Sequence, residues 1–131
     1  MYKKELGALI VRIVLGVIFA VHGIVKFQDG ISNTVGWFES IGLPGFLAYG
    51  VASVEIVGGL LLIIGLATRI VAGVFLLLLA GAIIKVKLAV GFVNGYEFDL
   101  ALMAMAAFLA MAGSELFAVD NRFNSIENKI V

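Results

Sequence analysis

Glu55 is the only charge in the apolar stretch Gly45 to Leu66, GFLAYGVASVEIVGGLLLIIGL, and it sits near the middle. A stretch of this length crosses a bilayer as a helix. A carboxylate at that depth is costly unless it is protonated, paired or hydrated, and such residues mark ligand sites and proton relays. Three more ionisable side chains occur in Gly7 to Phe27: Arg12, His22 and Lys26. Helical geometry gathers them with Phe19 into one arc of about 80°. His22 and Lys26, at i and i+4, lie one above the other. A third apolar stretch ends with Lys85 and Lys87, and a fourth opens with Asp99. Lys85 and Lys87 point about 200° apart on a helix, so both cannot face inward. Lys85 shares a side with Leu78, Gly81 and Ala82 and is the inward candidate; Lys87 is expected to snorkel toward water.

Elements must exist to bring these groups together. The residues predict an all-α integral membrane protein: an antiparallel four-helix bundle in one domain, 1–131, with spans at about 7–27, 45–66, 70–91 and 98–117. Small residues share the charged faces: Gly16 and Gly23 on the first span, and Ala48, Ala52, Gly58 and Gly59 within about 60° of Glu55 on the second. Such faces let helices approach closely. Between the first two spans, Ile31, Val35, Phe38 and Ile41 recur at helical spacing, which predicts a short interfacial helix with Trp37 at the lipid boundary. GLPG, Gly42 to Gly45, is a turn into the second span. Ala67-Thr68-Arg69 joins the second and third spans so tightly that they must be antiparallel neighbours. Asn94-Gly95 is a turn signal. Met103 and its neighbours on the fourth span read as packing rather than a metal site. The tail from Ala118 is polar and expected outside the lipid, with Asp120 capping a short helix there.

Composition supports this class. The chain is 63% hydrophobic and 14% charged, with mean hydropathy +1.16; soluble domains are nearer half apolar and a quarter charged. Net charge is zero, so no basic field for nucleic acid exists. The absence of cysteine removes disulfides, thiol redox chemistry and iron–sulfur ligation. One histidine cannot make a multi-histidine metal site, and no nucleotide-binding loop is present. Lys3 and Lys4 precede an apolar run longer than a signal core, so a retained first helix is expected.

Basic residues orient the bundle. With both termini cytoplasmic, Lys3, Lys4, Arg12, Arg69, Arg122 and Lys129 lie inside, against Lys26, Lys85 and Lys87 outside. At 1.5 Å per residue Arg12 sits roughly 8 Å up, Glu55 about 16 Å, and His22, Lys85 and Lys26 about 22 to 28 Å. With Asp99, these outline an outward polar chamber floored by Glu55. Arg12 lies below and within reach of it.

RIVLGVIFAVHGIVKFQDG (12–30), IGLPGFLAYGVASVEIVGGLLLIIGLATR (41–69) and GAIIKVKL (81–88) resemble the DoxX family of small four-helix membrane proteins. The chain is particularly similar to its CatD-type members from Gram-positive bacteria, labelled oxidoreductases. The marks are the Arg of the first span, the small-x-x-Lys ending at Lys26, Glu-x-x-Gly-Gly at Glu55 to Gly59, and Gly-Leu-x-Thr-Arg at Gly65 to Arg69. The resemblance implies a plasma-membrane protein linked to redox metabolism, some relatives acting with thiosulfate–quinone oxidoreductase and others in thiol, oxidative, catechol or quinone stress. The only cofactor it points to is quinone.

The site expected is therefore catalytic Glu55 and His22, with Arg12, Phe19, Lys26, Lys85 and Asp99 binding a quinone or catechol-like aromatic. A redox enzyme built on this chain must borrow electrons from a redox partner protein or a bound cofactor. Plainer roles stand beside each residue. Glu55 is equally read as an ion pair with Arg12 or Lys85, His22 as a histidine satisfied by a neighbouring helix, and Lys85 and Asp99 as partners of each other. The alternatives for the whole chain are a non-catalytic anchor for redox partners and a small proton or solute transporter. Homo-oligomers are compatible with either.

Overall fold

A computed structural model describes residues 2–115 and 117–122, with Tyr2 described by its backbone alone. Among these residues there is no strand. Helix α1 spans Tyr2–Gln28, α2 Ile31–Ser40, α3 Leu47–Ile64 and α4 Thr68–Ala82. α4 continues through a π-helical turn, Ile83–Lys87, and a last α-turn, Leu88–Val90. Helix α5 spans Glu97–Ala112. Among the described residues four helical stretches, Lys3–Gln28, Leu47–Ile64, Thr68–Val90 and Phe92–Ala112, are long and apolar enough to cross a membrane.

Local chemistry sets the boundaries. Gly65, with φ 74°, ends α3 in a Schellman arrangement: Leu66 N–H reaches the Leu61 carbonyl at 2.9 Å, and Gly65 N–H reaches that of Leu62 at 3.1 Å. α5 stops at Ala112, short of the expected 117, because Gly113 turns the chain at φ 70°. The expected Asn94-Gly95 turn is present, with Asn94 in the left-handed region. α2 forms where the apolar spacing predicts it, between two left-handed glycines, Gly30 and Gly42.

Packing is densest within two pairs, α1 with α3 and α4 with α5. In the first pair the backbones touch. A Cβ on Gly16 would lie 2.7 Å from the Gly59 carbonyl, and one on Gly23 would lie 2.7 Å from that of Ala52. Glycine is required at both crossings, which is how small-residue helix packing works without a hydrophobic drive in lipid. Across the pairs, Phe75 of α4 seats its ring over Gly58 of α3 and stacks on Phe19 of α1, centroids 3.7 Å apart. Leu15, Leu62, Leu79, Leu102 and Leu109 complete this core. The core occupies the middle of the molecule. Polar side chains gather beyond it at both ends.

Candidate functional site

At the end of the core away from the start of α1, residues of α1, α2, α3, α5 and the α4 segment line a cavity of about 510 Å3. Phe19, whose other face stacks on Phe75, lines it. Phe19, His22, Lys26, Glu55, Lys85 and Asp99 all contribute to the lining. Trp37 and Phe38 from α2 also line it, and so does Lys87. Trp37, expected only as a lipid-boundary anchor, thus has a second position.

Glu55 is 8% exposed. Its partner is Lys26: Nζ donates to Oε1 at 2.9 Å and to Oε2 at 2.7 Å. This corrects the expectation of Arg12 or Lys85. The cause is side-chain direction combined with register. On a helix each Cα–Cβ bond leans toward the N-terminus. Lys26 therefore reaches back along α1 while Glu55 reaches back along α3, and the two meet. The Gly23–Ala52 contact sets the register, bringing Glu55 about one turn nearer Lys26 than equal starting depths imply. Lys26 spends two of its three N–H donors on Glu55 and keeps the third. Its side chain remains 26% exposed, on the cavity.

One turn below Lys26, His22 is exposed on the cavity wall, its ring 6.2 Å from that of Phe98. Among the described residues it has no hydrogen-bond partner, so no neighbouring helix satisfies it. The lysines of α4 exchange their expected roles. Lys87 pairs with Asp99, Nζ to Oδ2 3.7 Å, whereas Lys85 is exposed and makes no ion pair among the described residues. The π-helical turn contains both lysines and inserts a residue into the helical repeat, so a regular-helix phase does not hold there. Both lysines line the cavity, against the expectation that only one could face inward.

Arg12 does not belong to this site. It is 1% exposed at the terminal end of the core, and its Nη2 donates to the Phe117 carbonyl at 2.9 Å. There Asp120 closes the structure. Its Oδ1 accepts from Ala67 N–H at 2.7 Å and its Oδ2 from Thr68 N–H at 3.0 Å. Ser114 Oγ lies 3.1 Å from Asp120 Oδ2, donates to the Gly65 carbonyl at 3.1 Å and meets Thr68 Oγ1 at 2.8 Å. Asp120 was expected to cap a helix in its own tail. Instead it caps α4 from the far end of the chain, where the dipole favours an anion. The described part of the tail, 117–122, therefore docks on the bundle; residues 123–131 lie outside the described residues. Burial pushes the Asp120 carboxyl up, but the hydrogen bonds it accepts, first those from Thr68 and Ala67 N–H, outweigh it and hold it below its ordinary value.

Sequence reasoning missed Lys87, Trp37 and the tail network. The aromatic spacing of α2 was the available signal for Trp37. Nothing local signals that Asp120 reaches across the chain to Ala67 and Thr68.

These features define a small polytopic membrane protein with a cavity near one end that a few charged side chains line. Residues 7–88 match the DoxX family, and the chain belongs to it. It is 49% identical over 116 residues to the Bacillus subtilis protein named "Putative oxidoreductase CatD", covering 88% of this chain and 86% of that one. It is 31% identical over 129 residues to an uncharacterized membrane protein of Mycobacterium tuberculosis, covering 87% and 79%. It is 30% identical over 125 residues to the Escherichia coli inner membrane protein YqjF, covering 92% and 95%. No solved structure matches the chain.

Proposed function

We propose that the chain is a redox-associated plasma-membrane protein that holds a quinone or catechol-like aromatic in its cavity. The observation that carries this reading is the Lys26–Glu55 pair on the wall of a 510 Å3 cavity that Phe19, Trp37, Phe38 and Phe98 also line. Binding sites of this kind are mostly apolar with a few convergent polar groups. The third N–H of Lys26 donates to a ligand oxygen, His22 exchanges a proton with it, and Phe19 packs against the ring. Histidine suits that exchange because an imidazole both gives and accepts a proton. The electrons come from a redox partner protein. The name of the Bacillus subtilis relative supports an oxidoreductase system, and that of the Escherichia coli relative supports an inner-membrane location. The distribution of basic residues supports cytoplasmic termini, with the cavity toward the outer face.

Trp37 is the single tryptophan and lines the cavity, so it reports occupancy. A short-chain benzoquinone should quench its fluorescence saturably in purified protein. Gly81→Phe fills the cavity wall, since a Cβ there meets nothing within 4 Å, and should abolish the saturable part. Identical quenching in both proteins would leave only partitioning into detergent and end this reading. For orientation, a cysteine at Asn94 should react with an impermeant thiol reagent outside intact cells; reaction only after lysis reverses the topology.

A further inference from the structure

The two carboxylates of the cavity are in different states. Both Glu55 oxygens receive hydrogen bonds from Lys26. Asp99 is just as buried, 8% exposed, yet among the described residues no hydrogen-bond donor reaches its Oδ2. Lys87 Nζ stands 3.7 Å away, close enough for attraction and too far for a hydrogen bond. A buried acceptor left in this state carries a desolvation penalty that a new donor relieves. Asp99 lines the cavity, and the terminal torsion of an aspartate is broad, so a modest rotation turns the unmet oxygen toward a ligand.

We infer that Asp99 makes the cavity selective for the reduced, hydroxyl-bearing form of its aromatic ligand, accepting a hydrogen bond from a ligand O–H that the quinone form lacks. The inference rests on the aromatic-ligand reading above and adds a direction to it. A quinone carbonyl only accepts, so it meets Lys26 favourably and Asp99 unfavourably. A dihydroxy ring accepts from Lys26 at one oxygen and donates to Asp99 from the other. A ligand ammonium would also satisfy Asp99, but Lys26, Lys85 and Lys87 outnumber Glu55 and Asp99 on the cavity wall, which disfavours a cation. A neutral hydroxyl meets the acceptor without that repulsion.

A hydrogen bond to a charged group supports a preference of about tenfold or more. Because the reduced form then binds more tightly, the bound two-electron couple becomes more oxidising by about 30 mV for each tenfold.

The test compares three probes on purified full-length protein by titration calorimetry: methylhydroquinone, its quinone, and its redox-inert dimethyl ether. The diol should bind wild type at least about tenfold more tightly than either other probe. Asp99→Leu should bring the diol down to the level of the ether while quinone binding is kept or improves. Should that single change fail to fold because Lys87 loses its partner, Asp99→Leu with Lys87→Met carries the same expectation. Lys87→Gln breaks the ion pair but keeps the carboxylate, so the diol preference should persist; its disappearance there would assign the preference to the ion pair and overturn the inference. Equal binding of diol and quinone in wild type, or a preference surviving Asp99→Leu, also overturns it and leaves the aromatic-ligand reading standing. Failure of all three probes to bind, or binding untouched by Gly81→Phe, removes that underlying reading and the inference with it.

Discussion

The molecule has two clusters of polar groups, one at each end of its apolar core, and they are built differently. At the terminal end, the Asp120 carboxylate, Ser114, Thr68 and the carbonyls of Gly65 and Phe117 interlock with Arg12. At the other end, Lys26 and Glu55 pair on an open wall, while His22, Lys85 and Asp99 Oδ2 have no hydrogen-bond partner among the described residues. Each helix repeats the contrast along its length. α1 passes from Arg12 through Leu15 and Phe19 to His22 and Lys26; α3 returns from Glu55 through Leu62 to Gly65. The difference separates two uses of buried charge. Groups packed against backbone hold the terminal end together even with Arg12 Nε left unmet, whereas unmet groups beside a void are available to a ligand.

Mutations that test the contrast should divide into stability effects at one end and binding effects at the other. Arg12→Ala should do most damage. It empties a nearly fully buried site and removes the charge facing Asp120, and comparable breaks cost about 3–5 kcal/mol. A fall in detergent melting temperature well beyond that of any cavity variant is expected. A near-neutral result would mean that the terminal cluster does not hold the tail.

Gly59→Val comes next. A Cβ at Gly59 would stand 2.5 Å from the Gly16 carbonyl, so α1 and α3 must separate. Overpacking of this kind costs about 1–3 kcal/mol. The register that joins Lys26 to Glu55 should loosen with it, and ligand binding should fall along with stability. Gly50→Val, where a Cβ meets nothing within 4 Å, is the control; equal losses in both would show that the backbone contact is not what positions the pair.

Asp120→Ala removes the α4 cap at about 1–2 kcal/mol. The pH dependence has a definite sign. The folded carboxyl titrates below its ordinary 3.8, so its contribution is complete above that value and is lost as pH falls further through the lower folded value. Melting followed from pH 6 down to pH 3 should show a steeper acid loss in wild type than in Asp120→Ala; parallel curves would remove Asp120 from the account.

Glu55→Gln should have the smallest effect on stability. Glutamine keeps the shape and an acceptor for Lys26, whose side chain still reaches the cavity. Melting should change by less than about 1 kcal/mol, within the usual range of a partly exposed ion pair. Quinone binding should nevertheless weaken clearly. If Glu55→Gln melts as low as Arg12→Ala and binds normally, the two clusters are alike and the contrast is lost.

The apolar stretches, the short α2, the Asn94 turn and the burial of Arg12 and Glu55 were legible in the sequence. They depend on local periodicity and on the cost of placing a charge in lipid. That cost required a partner for Glu55, and residue type and depth pointed to Arg12 or Lys85. Lys26 was settled by the register between α1 and α3, which depends on where two glycine backbones meet. The exchange of roles between Lys85 and Lys87 came from a π-helical turn, since period arguments assume a regular helix. The docking of Asp120 on α4 joins residues 53 apart, and no local pattern records such a contact. Residue chemistry and helical period thus determined that this chain carries charged faces inside an apolar bundle. Tertiary structure alone decided which charges meet, because side-chain reach is only a few ångströms and one turn of register exceeds the margin between partners.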